Sequence, residues 1–372
     1  MAAKRRFGYL DLLKVIAIMG VCLYHFPMIR HTAYARPFGV GVLVNRYFRM
    51  LNVVCVPLFM MVNGALVLNR SFDCKKHMRR CASLFAGAYV WYMATIILGH
   101  AWKNGWDYVA QNWGGMLRSA QYLGGYDGIG VSHLWFVQML VALYLLVPLI
   151  KAVLDSGDVQ IRRGMGFMLG ALGVLSFALN DIANVRAAVP VLRELDFSCL
   201  DTFNPMKSLY GSMLVYFVLG GLLHRAYDRL VSAPLWVSAG MTLGGSLALF
   251  VEWYLVTIRT ETMADMVYGG YGTLPALAMT AGLFILAAKL EQRFRVSEGP
   301  AGRVIALVGR NTLAVYYLHW IAGLTLLEYI SLPGCFAVNL VKAAAMVLLC
   351  SLAGEGMRRI PLLSRRMTAR NH

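Results

Sequence analysis

Few side chains in this sequence can do chemistry in an apolar setting, and the first apolar segment holds two of them. It reads Asp11-Leu12-Leu13-Lys14, with His25 eleven residues beyond the lysine. Eleven residues of α-helix make about three turns and roughly 16 Å of rise, so Lys14 and His25 share one face. Asp11 and Lys14, three residues apart, can neutralise each other. Two roles are open for Lys14: it lines a polar stripe, or it snorkels to nearby headgroups. His25 lies too deep to snorkel, and an unperturbed pKa of about 6.5 suits it to proton transfer. The alternative for His25 is a structural histidine bonded to a neighbouring helix.

Other candidates sort by position. His133 and His319 stand at or inside later apolar segments, where they could approach the same cavity as His25. His31, His77, His100, His224 and His372 read as solvated loop or helix-end residues. No close H-x-x-x-H pair or cysteine pair argues for a metal site, and none is expected. The seven cysteines read as small apolar residues and not as a disulfide framework. The densest basic run, Arg70 to Arg80, holds Lys75, Arg79 and Arg80. Its last residues are expected to open a helix, whose free N–H groups attract phosphate. The plainer reading of such a run is a topological stop.

The composition says what positions these groups. Of 372 residues 59% are hydrophobic and only 14% charged, well short of the about 25% charge of a soluble domain. Charge is too scarce to face water all round. Apolar runs predict spanning helices near 9–29, 48–69, 81–100, 133–151, 164–182, 208–224, 234–257, 271–289, 311–330 and 334–354. The expected fold is therefore an all-α, polytopic membrane helix bundle of about ten helices. Lys and Arg gather on the side that holds both termini, which predicts cytoplasmic ends. Residues 1–8 read as a cytoplasmic tail, 9–354 as the transmembrane domain and 355–372 as a basic cytoplasmic tail. The first segment reads as an uncleaved anchor. The net charge of +17 belongs to this topology, and no nucleic-acid signature accompanies it.

Several blocks together resemble the acyltransferase 3 family. Tyr9-Leu-Asp11-Leu-Leu-Lys14, followed by His25-Phe26, resembles its first-helix signature, in which Arg is usual where Lys14 stands. Val56-Pro57-Leu58-Phe59 through Asn63-Gly64 is similar to its second block, which commonly ends in Ser-Gly. Arg79-Arg80 resembles the basic pair near the third helix. His133-Leu134-Trp135-Phe136 through Pro148, and Gly309-Arg310-Asn311-Thr312 through Tyr317-Leu318-His319, resemble the fourth-helix and late blocks.

The resemblance implies an integral membrane O-acyltransferase with acetyl-CoA as donor. The acceptor it implies is a cell-surface or lipid-linked glycan, and the setting is the cytoplasmic (plasma) membrane, among membrane lipid. In that reading Lys75, Arg79 and Arg80 hold the cofactor phosphates, and the pantetheine arm passes Lys14. His25 is general base or acyl acceptor, while Asn63, His133, Tyr317 or His319 polarises the thioester or orients His25. Two other readings stay open at this point: a transporter or channel using the same polar stripe, and an inactive family member.

Overall fold

The computed structural model describes residues 7–25, 38–325 and 336–359, apart from 187, 193, 195, 196, 198, 201–203 and 205. His31, Cys335 and His372, with both chain ends, lie outside the described residues. The described residues are 85% helical and include no strands. Among the described residues eight helices or helical runs are long and apolar enough to cross a membrane. It is an all-α, multi-pass membrane protein. All ten predicted spans fall on helices as far as the described residues reach.

The helices are α1 (Gly8–His25), α2 (Val40–Met50), α3 (Cys55–Leu68), α4 (Cys74–Asn104), α5 (Trp106–Ala120), α6 (Trp135–Leu154) and α7 (Val159–Val185). They continue as α8 (Leu209–Arg225), α9 (Tyr227–Ser232), α10 (Leu235–Thr260), α11 (Leu274–Phe294), α12 (Gly299–Thr325) and α13 (Phe336–Arg359). Two of the expected spans are not among these eight: α8, which has 17 residues, and α12, which carries Arg303, Arg310 and Asn311 along its length. Two elements run further than their apolar cores predicted. α4 has 31 residues, about 46 Å of rise, because Asp73 caps it and the basic run after Asp73 is itself helical. The second span begins at Val40, so Arg46, which precedes the predicted 48–69 segment, lies with Arg49 on helix α2. A 3-10 turn, Leu51–Val54, joins α2 to α3. Pro57 then falls in the first turn of α3, where a missing N–H breaks no helical bond.

The described residues cluster into two compact units. One draws on Met1–Arg70, Ile150–Gly309 and Gly334–Ala343, the other on Ser71–Leu149, Arg310–Pro333 and Ala344–His372.

In the first unit α3 and α8 make the closest helix pair. Gly64 faces the Phe217 carbonyl and Gly220 faces the Met61 backbone, each so near that an added Cβ would collide with backbone. Small residues at such crossings let helices approach where lipid supplies no hydrophobic drive. Polar side chains then close the end of α3. The Leu68 carbonyl accepts from Lys151 Nζ and from Arg225, both at 3.0 Å. Asp155 pairs with Lys151 at 2.8 Å and with Arg225 at 2.7 Å. Asn69 donates to the Ala65 and Gly221 carbonyls at 3.0 Å and accepts from Arg225 Nε at 2.8 Å. Carbonyls that the last turn of α3 leaves open are thereby satisfied.

Two stability predictions follow from this packing. Gly64→Val should cost at least about 2 kcal/mol, since overpacking at a backbone contact has no side chain to displace. Thermal unfolding in detergent reads it as a lowered midpoint or loss of monodisperse protein. Hydrogen bonds from Lys151 and Arg225 hold the Asp155 carboxyl below its ordinary range. A depressed folded pKa stabilises above the unfolded value and loses that contribution as pH falls through the folded one. The midpoint difference between native and Asp155→Asn protein should therefore hold from pH 7 to about 5 and shrink below about 4.

Candidate active site

α1 carries the first candidate group in one piece. Lys14 Nζ lies 3.2 Å from Asp11 Oδ1, so the aspartate and lysine form the i, i+3 pair that their spacing predicts. Asp11 is only 6% exposed, which makes pairing necessary. Gly309, which opens the Gly309-Arg310-Asn311-Thr312 block, packs on this carboxyl. A Cβ there would stand 2.6 Å from Asp11 Oδ1, so glycine keeps room for the pair.

Both ends of α1 are tied down. At its start the buried Tyr9 hydroxyl meets His224 Nδ1 at 2.5 Å. At its far end Tyr24 donates to Asp265 Oδ2 at 2.7 Å. The Arg49 guanidinium lies over the Tyr24 ring at 5.0 Å and 4.0 Å from Asp265. His25 is the last residue of α1, half-buried, its ring edge-on to Tyr24. Asp265 in turn accepts from the Val267 N–H at 3.0 Å. This Tyr24–Asp265–Arg49 stake escaped the sequence reading, because its members are 25 to 241 residues apart and each looks like an ordinary interfacial residue. Asn63, also in this unit, lies mid-way along α3 and donates to the Phe59 carbonyl one turn back at 2.8 Å.

The second unit gathers His133, Tyr317 and His319. Its organising element is a two-residue hairpin turn at Asp127-Gly128. Both residues have positive φ, 41° and 79°, and Tyr126 and Ile129 exchange backbone bonds at 3.0 Å. Asp-Gly suits such a turn because glycine pays no steric cost there. Tyr108 donates to Asp127, and that carboxylate pushes its phenol up to about 12. The turn delivers the Gly130 carbonyl, which accepts from Trp320 Nε1 at 2.8 Å. Trp320 stacks on His133, ring centroids 4.5 Å apart. The Tyr316 hydroxyl donates to the His133 carbonyl, and His319 stands edge-on to His133 at 6.0 Å.

His319 is fully buried, and its Nδ1 donates to the Val315 carbonyl at 3.1 Å. That bond makes Nε2 the lone-pair nitrogen, the one able to take a proton. Tyr317 is 2% exposed and lies flat on Trp91, 5.1 Å between centroids and 9° between planes. Its buried hydroxyl has no hydrogen-bond partner among the described residues, and a Cβ at Gly87 would sit 3.8 Å from it. Trp91 and Gly87 were not singled out by the sequence.

The basic run differs from its expectation. Helix α4 begins at Cys74, so Arg79 and Arg80 belong to its second turn and do not open it. Asp73 caps the helix by accepting from the Lys76 N–H at 2.9 Å, a bond that lowers its own pKa. Lys75 and Arg79 are exposed, while Arg80 is half-buried with its guanidinium over the Tyr144 ring at 5.2 Å. His77 and His100, expected to be solvated, are instead buried on α4. They bond to the Tyr144 carbonyl at 2.7 Å and the Tyr126 carbonyl at 3.1 Å. The helix simply continues past the apolar stretch that predicted it. His224 is likewise a helix residue engaged by Tyr9 and not a solvated one.

The comparison with known families is specific: an acyltransferase domain, the acyltransferase 3 family, matches residues 7–355. The chain belongs to that family, whose members are membrane acyltransferases. Neither a curated protein nor a solved structure matches the chain.

Tyr24→Phe removes one hydrogen bond at the end of α1 and keeps the ring. It should lower acyl transfer about tenfold at unchanged abundance. Asp265→Asn should add little in the Tyr24→Phe background, as a double-mutant cycle on transfer rates would read.

Proposed function

We propose that this protein transfers an acetyl group from acetyl-CoA to a hydroxyl of a cell-surface or lipid-linked carbohydrate, in the cytoplasmic membrane with both termini cytoplasmic. The observation that carries the reading is α1 itself, a helix fixed at both ends that presents a paired Lys14 and a terminal His25 along its length. Family membership supplies the reaction class.

In this mechanism His25 takes the proton of the acceptor hydroxyl as its oxygen attacks the thioester carbonyl. The carbon–sulfur bond breaks, the ester forms, and the proton passes to the departing CoA thiolate. The alternative order forms an acyl-histidine first, which the hydroxyl then opens. Lys14 places positive charge along the donor's path. Lys75, Arg79 and Arg80 are the donors for the cofactor's phosphates. Asn63, Tyr317 and the imidazoles of His133 and His319 serve to polarise the carbonyl or orient its partners. The orphan hydroxyl of Tyr317 supports this role, since a buried donor without a partner is costly unless a ligand supplies one.

The test is acyl transfer from labelled acetyl-CoA in membranes holding native protein or His25→Ala at matched abundance. Loss of a general base or nucleophile should lower transfer at least about a hundredfold. Label in endogenous glycan or lipid only with His25 present supports the reading. Equal labelling in both membranes removes His25 from the mechanism.

A further inference from the structure

Helices α7 and α10 carry a group of polar side chains, at the ends nearest residues 261–273, that the roles above do not use. Asn180, Asp181 and Asn184 lie within about one turn of α7, and Glu252 lies on α10. The Leu274 N–H, at the start of α11, donates to Asp181 Oδ2 at 3.0 Å. The Asn184 amide donates to Glu252 Oε1, and the Asn180 amide donates to the Gly272 carbonyl at 2.9 Å. Each acid therefore has one oxygen tied down. The other oxygens, Asp181 Oδ1 and Glu252 Oε2, are buried and have no hydrogen-bond partner among the described residues.

Among the described residues no cation pairs with either acid. Arg259 reaches this end of α7 but donates to the Ala183 carbonyl at 3.4 Å. Glu252 is 3% exposed, whereas Asn180, Asp181, Asn184 and Gly272 are half-buried. Glu252 is thus the more deeply covered of the two acids. Acids inside apolar helices are expensive without a positive partner. As carboxylates the two groups offer only acceptors at the orphaned atoms, so the complementary ligand brings positive charge and several N–H donors and needs no donor in return. A primary ammonium fits that description. A neutral polyol donates too, but it brings acceptors of its own and leaves the charge unanswered. Three or more metal-ligating side chains do not come together among the described residues.

We propose that Asp181 and Glu252, flanked by Asn180 and Asn184, bind the ammonium group of a small ligand. If the acyl-transfer reading holds, that ligand is an amino-bearing alcohol or sugar acceptor; this identification rests on that reading, and the binding does not. Residues 265–274 link the site to α1. Asp265 at one end holds Tyr24, next to His25, and Gly272 and Leu274 at the other meet Asn180 and Asp181. Nine peptide steps span at most about 32 Å, which bounds the separation.

The experiment follows thermal unfolding of the purified full chain in detergent against 2-aminoethanol hydrochloride. Ethane-1,2-diol and sodium chloride at matched concentrations serve as the neutral and inorganic-cation arms. The midpoint should rise with the amine beyond either control, by mass action of a ligand on the folded state. Asp181→Asn and Glu252→Gln should each weaken apparent affinity at least about tenfold, the scale of one charge-assisted hydrogen bond. An equal rise with the diol makes the site a hydroxyl site, and an equal rise with sodium makes it an inorganic-cation site; either overturns the proposal. So does an amine effect that survives in both variants, or no amine effect at all. The three-arm comparison in native protein needs no variant to fold. Amine binding without acyl transfer would leave this site standing and remove the function proposed above, whereas transfer without amine binding would do the reverse.

Discussion

Inside a bilayer no water replaces a lost hydrogen bond, so every polar group on a spanning helix must find its partner within the protein. That constraint orders much of what is seen in the first unit. Asp11 is buried with Lys14 beside it, and the open carbonyl at the end of α3 is met by two cations that share Asp155. These arrangements need backbones at close range, which is what Gly64, Gly220 and Gly309 permit. Small residues and buried charges are therefore two halves of one solution. Removing the glycine separates the helices, and the charges then lose the geometry that makes them tolerable.

The same constraint gives α1 its character. A helix that bears a lysine and a histidine on one face has a strong reason to rotate or slide toward water. Tyr9–His224 at one end and Tyr24–Asp265 at the other oppose that movement. Neither contact involves Lys14 or His25 directly. In the proposed mechanism they are positioning contacts, fixing the register of the helix while leaving its reactive side chains to the substrates.

Much of this architecture was legible in the sequence because apolar length and the eleven-residue spacing are local signals. The Asp11–Lys14 pair and the helical setting of the ten segments, as far as the described residues reach, needed nothing more. The misreadings share one cause. Apolar length marks the lipid-facing core of a helix but not its polar extensions, so α4 was cut short and His77 and His100 were assigned to solvent. An N-cap aspartate at position 73 was the available signal for the true start. Contacts between distant segments left no local trace at all. Nothing near Tyr24 announces Asp265, and nothing near Asn184 announces Glu252. Gly87 and Trp91 were hidden differently, since a glycine and a tryptophan in an apolar run look like packing until Tyr317 is seen lying against them.

Lys14 stands where the resemblance leads one to expect arginine, and the geometry shows what that exchange changes. Arginine offers a planar fork that can hold two acceptors at once, while lysine is a point charge with three freely turning donors. Here one donor direction is spent on Asp11 at 3.2 Å. The proposed reaction asks this position for positive charge beside a thioester that is neutral until oxygen attacks. A point charge meets that demand, because the charge that develops is a single oxyanion and not a planar carboxylate or phosphate. What lysine gives up is orientation. Asp11 restores it by fixing the ammonium from one side, and Gly309 holds Asp11 close enough to do so. The lysine, the aspartate and the glycine therefore form one unit, and a change at any of the three should be felt at the other two.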